Sequence, residues 1–106
     1  VAERRVMMGI AIELPERIRN EIVNVTKKDN VVDGIKDLLS HELIRKRNKY
    51  IFMNRHFEQK YGMKFIEFEE KNKGAKMEYE TEKDYFDWDM AVTSLEDVEN
   101  EIRGLN

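Results

Sequence analysis

The chain has 106 residues, of which 39% are charged and 41% apolar, with a formal net charge of −3 and no cysteine. This length allows one domain, or a compact unit with an arm that a partner orders, and it excludes a large private core, because such a domain buries only roughly two-thirds of its unfolded surface. The absence of cysteine excludes disulfides and thiolate metal sites. No apolar run approaches the roughly 20 residues that span a bilayer, and no leader pattern is visible, so a cytoplasmic protein is expected.

Residues 9–14 alternate Gly9, Ile10, Ala11, Ile12, Glu13 and Leu14, the period-2 pattern of a short half-buried strand. A single strand needs a partner, which a second copy of the chain supplies; the other reading is an extended lead-in to a helix. Pro15 and Glu16 then have the chemistry of a first helical turn. Ile18, Ile22 and Val25 give one apolar stripe on a helix from about Pro15 to Lys28. Asp29 or Asn30 is placed to cap a second helix. Its apolar residues Val32, Ile35, Leu39, Leu43, Tyr50, Met53, Phe57 and Tyr61 recur at helical spacings up to the stop at Gly62. A short helical patch with Phe65, Ile66, Phe68 and Glu69 follows and ends near Gly74, then an extended connector containing Met77 and Tyr79. A last helix is expected to start from a Thr81/Asp84 capping box, with Tyr85, Trp88, Val92, Leu95, Val98 and Ile102 on one face. The segment from Lys71 to Lys83 is the expected hinge.

Charge divides at Gly62. Residues 1–62 hold 13 Lys/Arg against 9 Asp/Glu, and residues 63–106 hold 6 against 13. The basic half suits phosphate or an acidic partner, and the acidic half suits a basic protein surface. The organisation expected is a basic strand-helix-helix dimerisation region over 1–62 and an acidic partner-binding region over 63–106. The fold class is mainly α, with a short N-terminal strand, a long central helix and an amphipathic acidic C-terminal helix.

Leu14-Pro15, after an alternating strand and before two amphipathic helices, resembles the ribbon-helix-helix family. That resemblance covers residues 9 to about 45 and implies a homodimer whose paired strands enter the DNA major groove. The outward strand positions would be Gly9, Ala11 and Glu13, none of them a good reader of base edges, and Lys28-Asp29-Asn30 replaces the family's Gly-containing turn.

In the other half, the run Tyr61-Gly62-Met63-Lys64-Phe65-Ile66-Glu67-Phe68-Glu69-Glu70 precedes Glu82-Lys83-Asp84-Tyr85-Phe86-Asp87-Trp88-Asp89 and a closing helix. This resembles the C-terminal region of small archaeal antitoxin-like proteins over roughly residues 50–102. The resemblance implies a protein that neutralises a toxin by laying an acidic, aromatic arm over its basic site. Lys64 departs from it, standing where a capping Ser or Thr is expected.

Tyr79, Tyr85, Phe86, Trp88, Val92 and Leu95 are the candidate partner-binding residues, because aromatic anchors among carboxylates suit a cationic partner. The competing reading packs Tyr85, Trp88, Val92 and Leu95 on the long helix as internal core. A DNA-binding regulator and a helical structural adaptor are the alternative functions. Arg45, Lys46, Arg47 and Lys49 form the densest basic cluster: a solvated helix face, a set of phosphate contacts, or an internal pairing with the acidic second half that salt would weaken.

Nothing points to catalysis. His41 and His56 are not at ligand spacing, and Asp84, Asp87 and Asp89 suit a helix start better than Mg²⁺. There is no Gly-rich phosphate loop, no Ser/His/Asp pattern and no cysteine nucleophile, so neither a cofactor nor a metal is expected.

Overall fold

Pro15 sits at the N-cap of the first helix with φ −53° and ψ 144°, and the Arg19 N–H donates to its carbonyl at 3.1 Å. The computed structural model describes residues 13–105, and these form four helices: α1 (Glu16–Thr26), α2 (Val31–Tyr61), α3 (Phe65–Asn72) and α4 (Tyr79–Leu105). The expected strand over residues 9–14 falls mostly outside the described residues. Among the described residues there is no strand. The chain divides into two compact units, the first ending at Leu38 and the second starting at Leu39. The structural division therefore lies within α2, well before the charge division at Gly62.

In the first unit α1 ends at Lys27, which adopts the left-handed conformation with φ 58° and donates its N–H to the Val23 carbonyl at 2.9 Å. This is a conformation that glycine tolerates best, and a non-glycine residue there carries a cost of roughly 1 kcal/mol. Asn30 caps α2 as its sequence position suggests. Its Oδ1 accepts the Asp33 N–H at 2.9 Å, and its Nδ2 donates back to the Asp33 carboxylate at 2.9 Å. The two helices meet at Gly34. A Cβ there would lie 2.6 Å from Ile22 Cγ2 and 3.0 Å from Thr26 Oγ1, so only hydrogen fits. The Thr26 hydroxyl is already turned back onto the Ile22 carbonyl at 2.7 Å. Despite its apolar stripe, α1 contains no buried residue.

The second unit is built on an aromatic core. Phe57, Phe68, Trp88, Ala91 and Val98 are buried, with Tyr61, Met63, Phe65, Tyr85 and Val92 packed against the aromatic centre. Gly62, at φ 67°, stops α2 with its N–H on the Glu58 carbonyl at 2.8 Å. The chain then turns into α3, which starts at Lys64 without a side-chain cap. The Lys64 ammonium instead pairs with Glu58 at 3.2 Å. After α3, Gly74 takes φ 72° and the chain reaches α4 through a short non-helical stretch.

The start of α4 corrects the sequence reading. The helix begins at Tyr79, with Glu80 and Glu82 in its first turn and the Glu82 N–H on the Glu78 carbonyl at 2.9 Å. Thr81 is therefore inside the helix and caps nothing. Carboxylates in a first turn favour the positive helix end, which offsets the absence of a hydroxyl cap. Only residues 73–78 of the expected hinge are non-helical.

Candidate protein-binding surface

Trp88 is 0% exposed and is surrounded by rings. Its centroid lies 5.1 Å from Phe68, 5.3 Å from Phe65, 5.6 Å from Phe57 and 5.8 Å from Tyr61. Such spacings add attraction between rings to the area that they bury. The indole N–H donates to Asn54 Oδ1 at 2.8 Å, so the one polar atom of the side chain is satisfied inside the unit. Trp88 thus pins α4 to α2.

A polar clasp completes the join near the other end of the contact. Lys60 Nζ and the Tyr61 hydroxyl both donate to Asp84 Oδ2, at 2.5 and 2.6 Å. Burial disfavours the charged form of Asp84, but these two hydrogen bonds outweigh it and hold the carboxyl below its ordinary range. The same bond raises Lys60 above its ordinary value, while burial together with the bond to Asp84 raises Tyr61. Partners that fall in number along α4 as they rise along α2, Asn54 with Trp88 and Lys60 with Asp84, make the two helices antiparallel. On α3, Glu69 accepts the Tyr85 hydroxyl at 2.7 Å, and that bond, with burial, raises the phenol.

The six candidate partner-binding residues therefore separate into two groups. Trp88 is core, and Tyr85, Val92 and Leu95 are half-buried, with Tyr85 and Val92 packed against the aromatic centre. Tyr79 and Phe86 point away from it, 84% and 59% exposed. Further exposed apolar residues of this unit that the sequence reading did not single out for binding include Met90 at 44%, next to Phe86 on α4, and Phe52 of α2 and Ile66 of α3, each at 73%. Met90 was legible as the residue four places after Phe86; Phe52 lies off the apolar stripe of α2 and gave no periodic signal. Shallow clefts open on this unit: a larger one, of about 420 Å³, beside Glu69, Gly74 and Tyr85, and two smaller ones next to the exposed aromatic residues. One, of about 290 Å³, is lined by Tyr79, Glu82, Lys83 and Phe86. The other, of about 250 Å³, is lined by Phe52, Met53, His56, Phe57 and Asp87.

The basic cluster is not one free patch. Arg45 forks onto Glu42 at 2.6 and 2.9 Å, which lowers the Glu42 carboxyl and raises the guanidinium. Lys49 stands over the Tyr50 ring at 5.8 Å. Lys46 is exposed, whereas Arg47 is half-buried and its Nε is shielded without a hydrogen-bond partner. The helical period places Arg47 away from Arg45, Lys46 and Lys49.

No group of metal-ligating side chains occurs among the described residues, and none of the described helices is long and apolar enough to cross a membrane. No family model, no curated protein and no solved structure matches this chain.

Proposed function

We propose that the chain is a protein-binding module of the antitoxin type, in which the folded second unit presents an acidic, aromatic surface to a cationic protein and the first unit joins two copies. The observation that carries this reading is the exposure of Tyr79, Phe86 and Met90 on a helix whose opposite face buries Trp88, Ala91 and Val98. Helix α4 carries nine carboxylates against two cations, Lys83 and Arg103. A surface of that composition steers a cationic partner and anchors it through apolar side chains.

Homodimerisation is supported by the first unit, where Ile18, Val25, Val32, Ile35 and Leu38 remain exposed. A second copy covering this face would bury apolar side chains at roughly 25 cal/mol per Å².

The burial of Trp88 also favours a second reading, a helical adaptor that joins proteins without inhibiting one. An open arm that becomes ordered only on a toxin would leave its largest aromatic residue to the partner; here that residue is internal.

Co-purification from the source cell with the tagged full chain, beside its Phe86→Ala variant, tests the proposal. The expected result is one cationic protein in fixed stoichiometry with the parent chain and its loss with the variant. Equal retention by Phe86→Ala contradicts the proposed surface. Expression of the captured protein alone then separates the readings: growth arrest that the full chain relieves supports neutralisation, and normal growth supports the adaptor.

A further inference from the structure

The exposed apolar residues of α4 form a ridge of defined geometry. Successive helical residues are about 100° apart, so relative to Trp88 the residues Tyr79, Phe86 and Met90 stand at about 180°, 160° and 200°. They form one line directly opposite the core, about 16 Å long at 1.5 Å per residue. The same geometry sets Glu82 and Asp89 along one side of the ridge and Glu80 and Asp87 along the other, with Lys83 as the one cation beside it. Glu82, Asp87 and Asp89 make no ion pair among the described residues. Glu80 comes within 3.9 Å of Lys60 at one edge.

This arrangement limits what can lie on it. A helix interior has its backbone groups paired internally, so α4 offers no main-chain edge to an extended peptide, and recognition must come from side chains. Residues seven and four apart along a straight ridge mesh with a second helix, whose own side chains enter the hollows on either side. Two hollows are present, one on the ridge between Tyr79 and Phe86, lined by Glu82 on one side and Lys83 on the other, and one beside the ridge, lined by Phe52 and Asp87.

We infer that the occupant of this ridge is an amphipathic cationic helix of the partner protein, with an apolar seam at three- and four-residue spacing and Lys or Arg on both flanks of the seam. The inference rests on the proposed binding surface and names the kind of element that it receives. The seam fills the cleft between Tyr79 and Phe86 and the cleft beside Phe52, and the flanking cations meet the carboxylate rows. These contacts are solvated, so they contribute more to encounter and register than to affinity, and salt weakens them.

The test uses the full chain and two synthetic peptides of identical Leu/Lys composition. In one, the leucines recur at i, i+3, i+4 and i+7 with lysines on the flanks; in the other, the leucines are scrambled around the helix. Titration by calorimetry and circular dichroism is expected to show at least tenfold tighter binding of the patterned peptide, with gain of helix. Phe86→Ala is expected to weaken that binding at least tenfold while leaving Trp88 emission unchanged, and the double variant Glu82→Gln/Asp87→Asn to flatten its salt dependence. Equal affinity for the scrambled peptide, still sensitive to Phe86→Ala, overturns the helical occupant and leaves the cationic partner standing. Binding of both peptides without sensitivity to Phe86→Ala removes the surface itself, and failure of the patterned peptide to bind overturns the inference.

Discussion

The Trp88 indole donates to the Asn54 amide oxygen at 2.8 Å across α2 and α4, inside a cage of four aromatic rings. The contact decides how the acidic half is built, because it packs α4 against α2 and leaves the candidate surface on the other side of α4. Trp88→Ala is expected to cost about 3–5 kcal/mol, the range for deleting a large buried aromatic residue. Asn54→Ala leaves the indole N–H without its acceptor and is expected to cost about 1–3 kcal/mol. Urea unfolding of the full chain, followed by the single tryptophan, reads both; a loss below about 1 kcal/mol for Trp88→Ala contradicts the core assignment.

In the first unit, Gly34→Ala is expected to destabilise by about 1–3 kcal/mol even though alanine is the better helix former, because the new methyl must displace Ile22. Gly104→Ala meets open space and serves as the control, expected to be neutral or slightly stabilising. Hydrogen exchange of α1 amides resolves the difference, since Gly34→Ala should deprotect α1 while leaving the amides around Trp88 protected.

The sequence made the helices legible because their signals are local. The Pro15 start, the Asn30 cap and the Gly62 stop are each set by one residue's chemistry, and α2 follows its periodic apolar residues. It was less informative about α4. Thr81 and Asp84 have capping spacing, but Asp84 is held by Lys60 and Tyr61 from another helix, a tertiary contact that no local rule contains. The candidate surface was half legible for a related reason. An aromatic residue reads the same in sequence whether it anchors a core or a partner, and only packing against α2 and α3 separates Trp88 from Phe86.

Stability should depend on pH through the Asp84 clasp. The folded carboxyl is held below its unfolded value of about 3.9, so its contribution is present above that pH and is lost as pH falls through the folded value. Lys60 is raised, so its contribution is present below about 10.4 and is lost as pH rises through its folded value. Asp84→Asn is expected to flatten the acid limb of a stability-against-pH curve. An acid limb identical to that of the parent chain contradicts the clasp.

Self-association through the first unit is checked by sedimentation equilibrium. A 12.7 kDa chain should sediment as a dimer, and Val25→Asp or Val32→Asp, each introducing charge on the exposed apolar face, should shift it toward the monomer. Both side chains are exposed in the single chain, so these variants should keep their helical signal. A parent chain that is monomeric at high concentration contradicts the dimer.

Acrylamide quenching of the single tryptophan in the free chain reads whether α4 is docked on α2. A packed second unit predicts blue-shifted emission that acrylamide barely reaches until the chain is unfolded. Red-shifted emission, quenched in the folded chain as readily as free tryptophan, would mean that α4 is not docked on α2 and that Trp88 belongs to a partner.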